Sequence, residues 1–118
     1  MSPSSPDRLE LLQGTLELLI LRVLRWGAQH GHGIATLIEQ TSDGQLKVEG
    51  GSLYPALQRL LREGWIEGEW GTSSNNRRAR FYKLTAKGRR QLQTQESNWD
   101  RLVEAMKLVG QKPAPGQS

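Results

Sequence analysis

Residues 51–65, GSLYPALQRLLREGW, set a proline inside an apolar repeat of helical spacing formed by Leu53, Leu57, Leu60 and Leu61. A proline has no N–H to give to a helix and its ring crowds the preceding turn, so a helix that contains Pro55 must begin shortly before it. Two starts are open. With Ser52 as cap, Pro55 is the third helical residue, where the amides have no internal partner, and the Ser52 hydroxyl accepts from the amide of Tyr54. With a start nearer Glu49, Pro55 removes one helical bond and bends the first turn. On either reading Tyr54 rides at the exposed N-terminal end, Leu57, Leu60 and Leu61 face the core, Gln58, Arg59 and Arg62 lie off that stripe, and Gly64 closes the helix.

The same punctuation divides the rest of the chain. Leu16, Leu19, Ile20, Val23 and Leu24 predict a first helix over Gly14–Trp26, with Thr15 as cap, Gly27 as stop and an extension at its front through Leu9, Leu11 and Leu12. The segment HGHG interrupts that pattern, and Ile34, Leu37 and Ile38 resume it in a second, shorter helix that TSDG ends. WIEGEW and ARFYKL are short runs rich in aromatic and branched residues, separated by GTSSNNRR, which predicts a hairpin with a tip longer than a tight turn. Thr85 then caps a last helix running to about Val109. Its seam of Leu92, Gln95, Trp99, Leu102, Met106 and Val109 advances in steps of three and four, the heptad spacing of a coiled coil. Such a seam can meet its own chain or a second one; a long helix ending a small domain has little core left to cover, which favours a second chain. The expected organisation is a flexible start over 1–8, a domain over 9–85, a dimerisation helix over 86–109 and a flexible tail over 110–118.

The length of 118 residues suits one domain, and the absence of cysteine excludes disulfides, thiol nucleophiles and thiolate metal sites. LELLILRVL is too short to cross a bilayer and carries a Glu and an Arg, and Met1–Pro6 lacks the regions of a signal peptide, so a soluble cytoplasmic protein with no membrane partner is expected. His30 and His32 read as part of a turn at a helix start rather than as metal ligands, since no third ligand stands nearby. No acid/base pair with a nucleophile and no phosphate-cradling glycine loop is present, so neither an enzyme nor a cofactor is expected. Charge carries more information. The net +4 conceals a balance of −3 over residues 1–76 and +7 over 77–118, and Arg77–Arg90 holds seven basic residues (Arg77, Arg78, Arg80, Lys83, Lys87, Arg89, Arg90) and no acid. Such a run is either a solvated face or the footprint of a polyanion, which gains by counterion release.

Helix, helix, helix, hairpin, long helix is the order of a helix-turn-helix followed by a wing, a mainly α fold with a small β-hairpin. GSLYPALQRLLREGWIEGEW and RRARFYKLTAKGRRQL closely resemble the PadR family of bacterial transcriptional regulators. QGTLELLILRVL and GHGIATLIEQ resemble its first two helices, so the resemblance covers roughly residues 9–110. The short C-terminal region is similar to the subgroup that dimerises through one terminal helix. The resemblance implies a homodimeric repressor that binds a pseudo-palindromic operator in double-stranded DNA. It places Ser52, Tyr54 and Pro55 at the groove-facing end of the recognition helix and Arg77, Arg78 and Arg80 on the wing, and it matches Tyr82, Leu84, Thr85 and Gly88 to a structural strand-to-helix junction. Arg59 either reaches phosphate or solvates its helix. Leu92, Trp99, Leu102, Met106 and Val109 are the expected dimer interface. Trp99 is also a candidate contact for a small hydrophobic effector, because aromatic residues of the terminal helix line an intersubunit cavity in some members. One position departs from the family pattern: Glu49-Gly50 stands where Ser-Pro is frequent, and an acid there repels phosphate or caps the helix differently. The alternative is a winged-helix module that dimerises and binds protein rather than DNA.

Overall fold

The computed structural model describes residues 13–111, together with 113 and 116. The expected extension through Leu9, Leu11 and Leu12, the flexible start and most of the expected tail lie outside these residues. Four helices and three strands follow one another as α1 (Gln13–Leu24), β1 (Gln29–His30), α2 (Gly31–Thr41), α3 (Gly50–Arg62), β2 (Ile66–Thr72), β3 (Arg78–Leu84) and α4 (Ala86–Leu108). The strands form one antiparallel sheet in the order β1-β3-β2.

Helix α1 is the centre of the core. Its Leu16, Leu18, Ile20, Leu21 and Leu24 are buried against Ile34 and Ile38 of α2, Leu53, Ala56, Leu57 and Leu60 of α3, and Leu92 of α4. Ile66, Tyr82 and Leu84 close the core from the sheet. Thr15 lies inside α1 rather than capping it, because the helix already includes Gln13.

The HGHG segment does more than separate two helices. His30 is the N-cap of α2, its Nδ1 accepting from the Gly33 amide at 3.0 Å, and Gln29–His30 also pairs with β3, Gln29 opposite Tyr82 and His30 opposite Phe81. Gly31 leaves room for α3: a Cβ there would stand 3.0 Å from the ring of Tyr54.

The structure decides the question that Pro55 raises. Helix α3 starts at Gly50 with Glu49 as N-cap, and no side chain caps it. Ser52 is therefore not the cap. Its amide already donates to the Glu49 carbonyl at 3.0 Å, and the Leu53 amide donates to the same oxygen at 2.9 Å, so the first turn is wound before Ser52 could end it. Pro55 consequently sits in the second turn and removes the bond that an amide at that position gives to the carbonyl of Gly51. The far end is closed as expected. Gly64 at φ 75° lets its own amide reach the Leu61 carbonyl and the Trp65 amide reach that of Leu60 at 3.1 Å, satisfying two terminal carbonyls in a Schellman turn.

The hairpin strands are longer than expected, since β2 runs on to Thr72 and β3 begins at Arg78, leaving Ser73–Arg77 as the tip. At the other end the junction to α4 is knitted by one residue. Thr85 Oγ1 accepts from the Gly88 amide at 3.0 Å, capping α4, and donates to the Gly64 carbonyl at 2.6 Å, tying the end of α3 to the start of α4. A Cβ on Gly88 would fall 1.8 Å from the Trp65 carbonyl oxygen, so this position accepts only glycine without backbone movement.

Candidate nucleic-acid interface

The basic run is sorted by the sheet. In an antiparallel pair, residues opposite one another share a face and alternate residues change face. The register Ile66↔Leu84, Gly68↔Tyr82, Trp70↔Arg80, Thr72↔Arg78 puts Arg78 and Arg80 on the face that carries Ile66, Tyr82 and Leu84 into the core. The opposite face carries Glu67, Glu69 and Lys83, with the Lys83 ammonium 3.5 Å from Glu67 and 4.0 Å from Glu69. Lys87 donates to the Glu63 carbonyl at 2.8 Å. Two of the seven basic residues thus have partners within their own chain.

Arg77, Arg78 and Arg80 differ from them. Arg77 is exposed at the end of the tip, where Asn76 at φ 62° turns the chain and the Ser73 amide donates to the Arg77 carbonyl at 2.8 Å. Arg78 stacks over the ring of Trp70 at 4.7 Å and Arg80 lies over Tyr82 at 5.8 Å. Among the described residues, no carboxylate stands within ion-pair distance of these three. Arg89 and Arg90 are exposed in the first turns of α4.

At the other expected contact, Ser52, Tyr54 and Pro55 are all exposed near the start of α3. The Tyr54 ring spans from Gly31 to Gly50, so α2 steadies it while about half of it remains accessible. Glu49 is exposed immediately before them. Arg59 is engaged elsewhere: its Nε donates to the Glu17 carboxylate of α1, which holds the guanidinium against the body of the fold and cancels its charge.

The seam of α4 divides. Leu92 is 4% exposed and belongs to the chain's own core, which corrects its assignment to an interchain surface: the first turns of α4 pack on α1 and β3. Beyond it Trp99 is 36%, Met106 64% and Val109 82% exposed, with Leu102 between them, so the apolar row leaves the body of the chain as the helix proceeds. Trp99 and Leu102 wall a groove of about 380 Å³ with Gly14, Thr15, Glu17 and Leu18 of α1. The lock between the two helices is Glu96, whose carboxylate accepts from Arg22 at 3.0 Å and from Arg25. Burial raises the Glu96 carboxyl, but the hydrogen bonds and positive charge of Arg25 and Arg22 outweigh it and hold the group below the ordinary glutamate value. Sequence reading missed this pair, which joins residues more than seventy positions apart. It missed Trp70 as well: pairing the two expected strands outward from the loop sets Trp70 opposite Ala79, one residue from its observed partner Arg80 and hence on the other face.

A helix pair presenting an exposed α3 terminus, followed by a two-stranded wing with an arginine face, defines a winged-helix protein. The family model described as "Transcriptional regulator PadR-like family" matches residues 20–94, and the chain belongs to this family, which is one of transcriptional regulators and not of enzymes. Solved structures agree. A PadR-like transcriptional regulator from Bacillus cereus is 28% identical and superposes with a TM-score of 0.72 over 86% of this chain and 97% of its own. A PadR-like transcription factor from Bacteroides fragilis is 30% identical, with a TM-score of 0.68 over 82% and 91% of the two chains. A transcriptional regulator from Clostridium thermocellum, 23% identical, shares the fold with a TM-score of 0.74 over 80% of this chain and 89% of its own. No helix among the described residues is long and apolar enough to cross a membrane.

Proposed function

We propose that the chain is an operator-binding repressor that acts as a homodimer, with the N-terminal residues of α3 in the major groove and the wing arginines on the sugar-phosphate backbone or in the minor groove. The observation that carries this reading is three arginines side by side on one hairpin, none of them paired with a carboxylate among the described residues. Arg22, Arg25, Arg59 and Lys83 are each paired with a carboxylate, whereas Arg77, Arg78 and Arg80 have none among the described residues. Basic groups left uncancelled side by side on one hairpin suit a partner that brings its own negative charges. Ser52, Tyr54 and Pro55 supply the reading surface of α3. Arg59, tied to Glu17, acts by fixing the pitch of that helix against α1. The exposed row Trp99, Leu102, Met106 and Val109 supports a second copy as the occupant of the distal half of α4, and Trp99, at the edge of a groove, suits a flat hydrophobic effector between the two copies.

The deciding experiment is the affinity for duplex DNA as a function of salt. Phosphate contacts predict a linear fall of log K with log salt of about −0.9 per contact, and replacing Arg77 and Arg78 by Ala flattens that slope by up to about two per subunit. Weak, salt-insensitive binding at every concentration overturns the DNA reading in favour of a protein-binding module. The effector is tested through Trp99 fluorescence against planar aromatic compounds, where no response across a broad panel removes it.

A further inference from the structure

Trp70 is the large apolar residue that the wing leaves outside the core. It is 63% exposed, and a large apolar ring left in water near a hairpin tip costs free energy that the core does not return. Its place in the register gives it another use. From tip to core, one face of the hairpin carries Arg78, Trp70, Arg80 and Tyr82, so that guanidinium and ring alternate. Arg78 has its carbon 4.7 Å from the centre of the Trp70 ring, and Arg80 has its carbon 5.8 Å from the centre of Tyr82. Gly68, opposite Tyr82 on the same face, makes the arrangement possible, because a Cβ there would stand 2.6 Å from Arg80 Nε.

The three arginines that do have carboxylate partners show what this achieves. Glu96 and Glu17 hold Arg22, Arg25 and Arg59 by consuming N–H donors and cancelling charge. An aromatic face holds a guanidinium through its π-cloud, leaving the charge intact and the in-plane donors available for bidentate contact. We propose that Trp70, with Tyr82 and Gly68, forms a cation–aromatic ladder that positions Arg78 and Arg80 for phosphate, so that the wing meets DNA with its arginines already ordered. The ladder rests on the DNA reading given above and adds residues that carry no charge themselves.

The test uses the full chain and a fluorescein-labelled, mixed-sequence duplex, titrated by anisotropy across a salt series. Trp70→Ala is expected to weaken binding roughly threefold while the salt slope stays near that of the wild type, since no charge is lost. Arg78→Ala is expected to lower the slope by about one. Trp70→Phe restores most of the affinity, Gly68→Ala weakens binding with every charge and ring retained, and Trp70→Ala adds nothing in the Arg78→Ala background. In the free protein, the ring current of Trp70 shifts the Arg78 side-chain protons upfield in NMR spectra, and Trp70→Ala abolishes that shift without unfolding the hairpin. Wild-type affinity in Trp70→Ala, an equal loss in both backgrounds, or no upfield shift in the wild type overturns the ladder while leaving the DNA reading intact. A wild-type protein whose binding is weak and insensitive to salt overturns both.

Discussion

The two halves of α4 continue one another without a break and have opposite relations to the rest of the chain. The first half is held by its own protomer: Thr85 caps it, Gly88 packs against the Trp65 carbonyl, Leu92 is buried and Glu96 is clasped by Arg22 and Arg25. The second half carries the same apolar period outward, from Trp99 and Leu102 beside the groove on α1 to Met106 and Val109 in solvent. The family match follows the same division, covering residues 20–94 and stopping before Trp99. A heptad-like spacing therefore states that a helix has one apolar face and does not state whose surface meets it. Burial assigns the first half of α4 to its own chain and leaves the distal half exposed.

That division is best broken at its most buried point. Leu92→Ala is expected to lower the unfolding free energy by about 3 kcal/mol, a large-to-small change in a core, and to do so equally at low and high protein concentration when followed by chemical denaturation. Leu102→Glu is expected to spare the fold of the protomer and to weaken the proposed dimer by about 2 kcal/mol or more, roughly thirtyfold in dissociation constant by sedimentation equilibrium. A concentration-independent loss of stability in Leu102→Glu would return the distal half to its own chain. Thr85→Ala, which removes the α4 cap and the bond to Gly64, is expected to cost about 1 kcal/mol in the same denaturation assay.

The smallest effect concerns Glu96. A carboxyl whose folded value lies below its unfolded value contributes stability above the unfolded value and loses it as pH falls through the folded one. Thermal stability of the wild type should thus decline more steeply than that of Glu96→Gln as pH drops below the ordinary glutamate range. The difference between them at neutral pH is expected to stay within about 1 kcal/mol, because the pair is partly open to solvent. Parallel pH profiles would show that the clasp is passive.

The features legible in the sequence are those written within a few residues of one another. The stripes of α1, α2 and α3, the glycine that ends α3, the Thr85 cap and the hairpin with its basic tip all follow from periodicity and punctuation. The wing arginines were legible as a charged run, but their separation from Lys83 and Lys87 was not, because it depends on strand register and on Glu67, Glu69 and Glu63. Strand β1 has two residues and exists only because β3 offers it an edge fifty residues away. The start of α3 was open between Ser52 and Glu49 because a serine and a proline are local signals for one answer. The chain took the other, starting the helix at two glycines with no side-chain cap.

The junction at Thr85 has a mechanical meaning. Gly64 at the end of α3, Trp65 at the root of the wing and Gly88 at the root of α4 are fastened to one another within a few ångströms, so helix, wing and the base of α4 are joined at one point. With 23 residues, α4 is a lever about 34 Å long. A tilt of about 5° at the root displaces its far end by about 3 Å, an amount comparable with the rise of one base pair. In the homodimer proposed above, small adjustments where two such helices meet would reset the spacing between the two α3 termini without bending either helix.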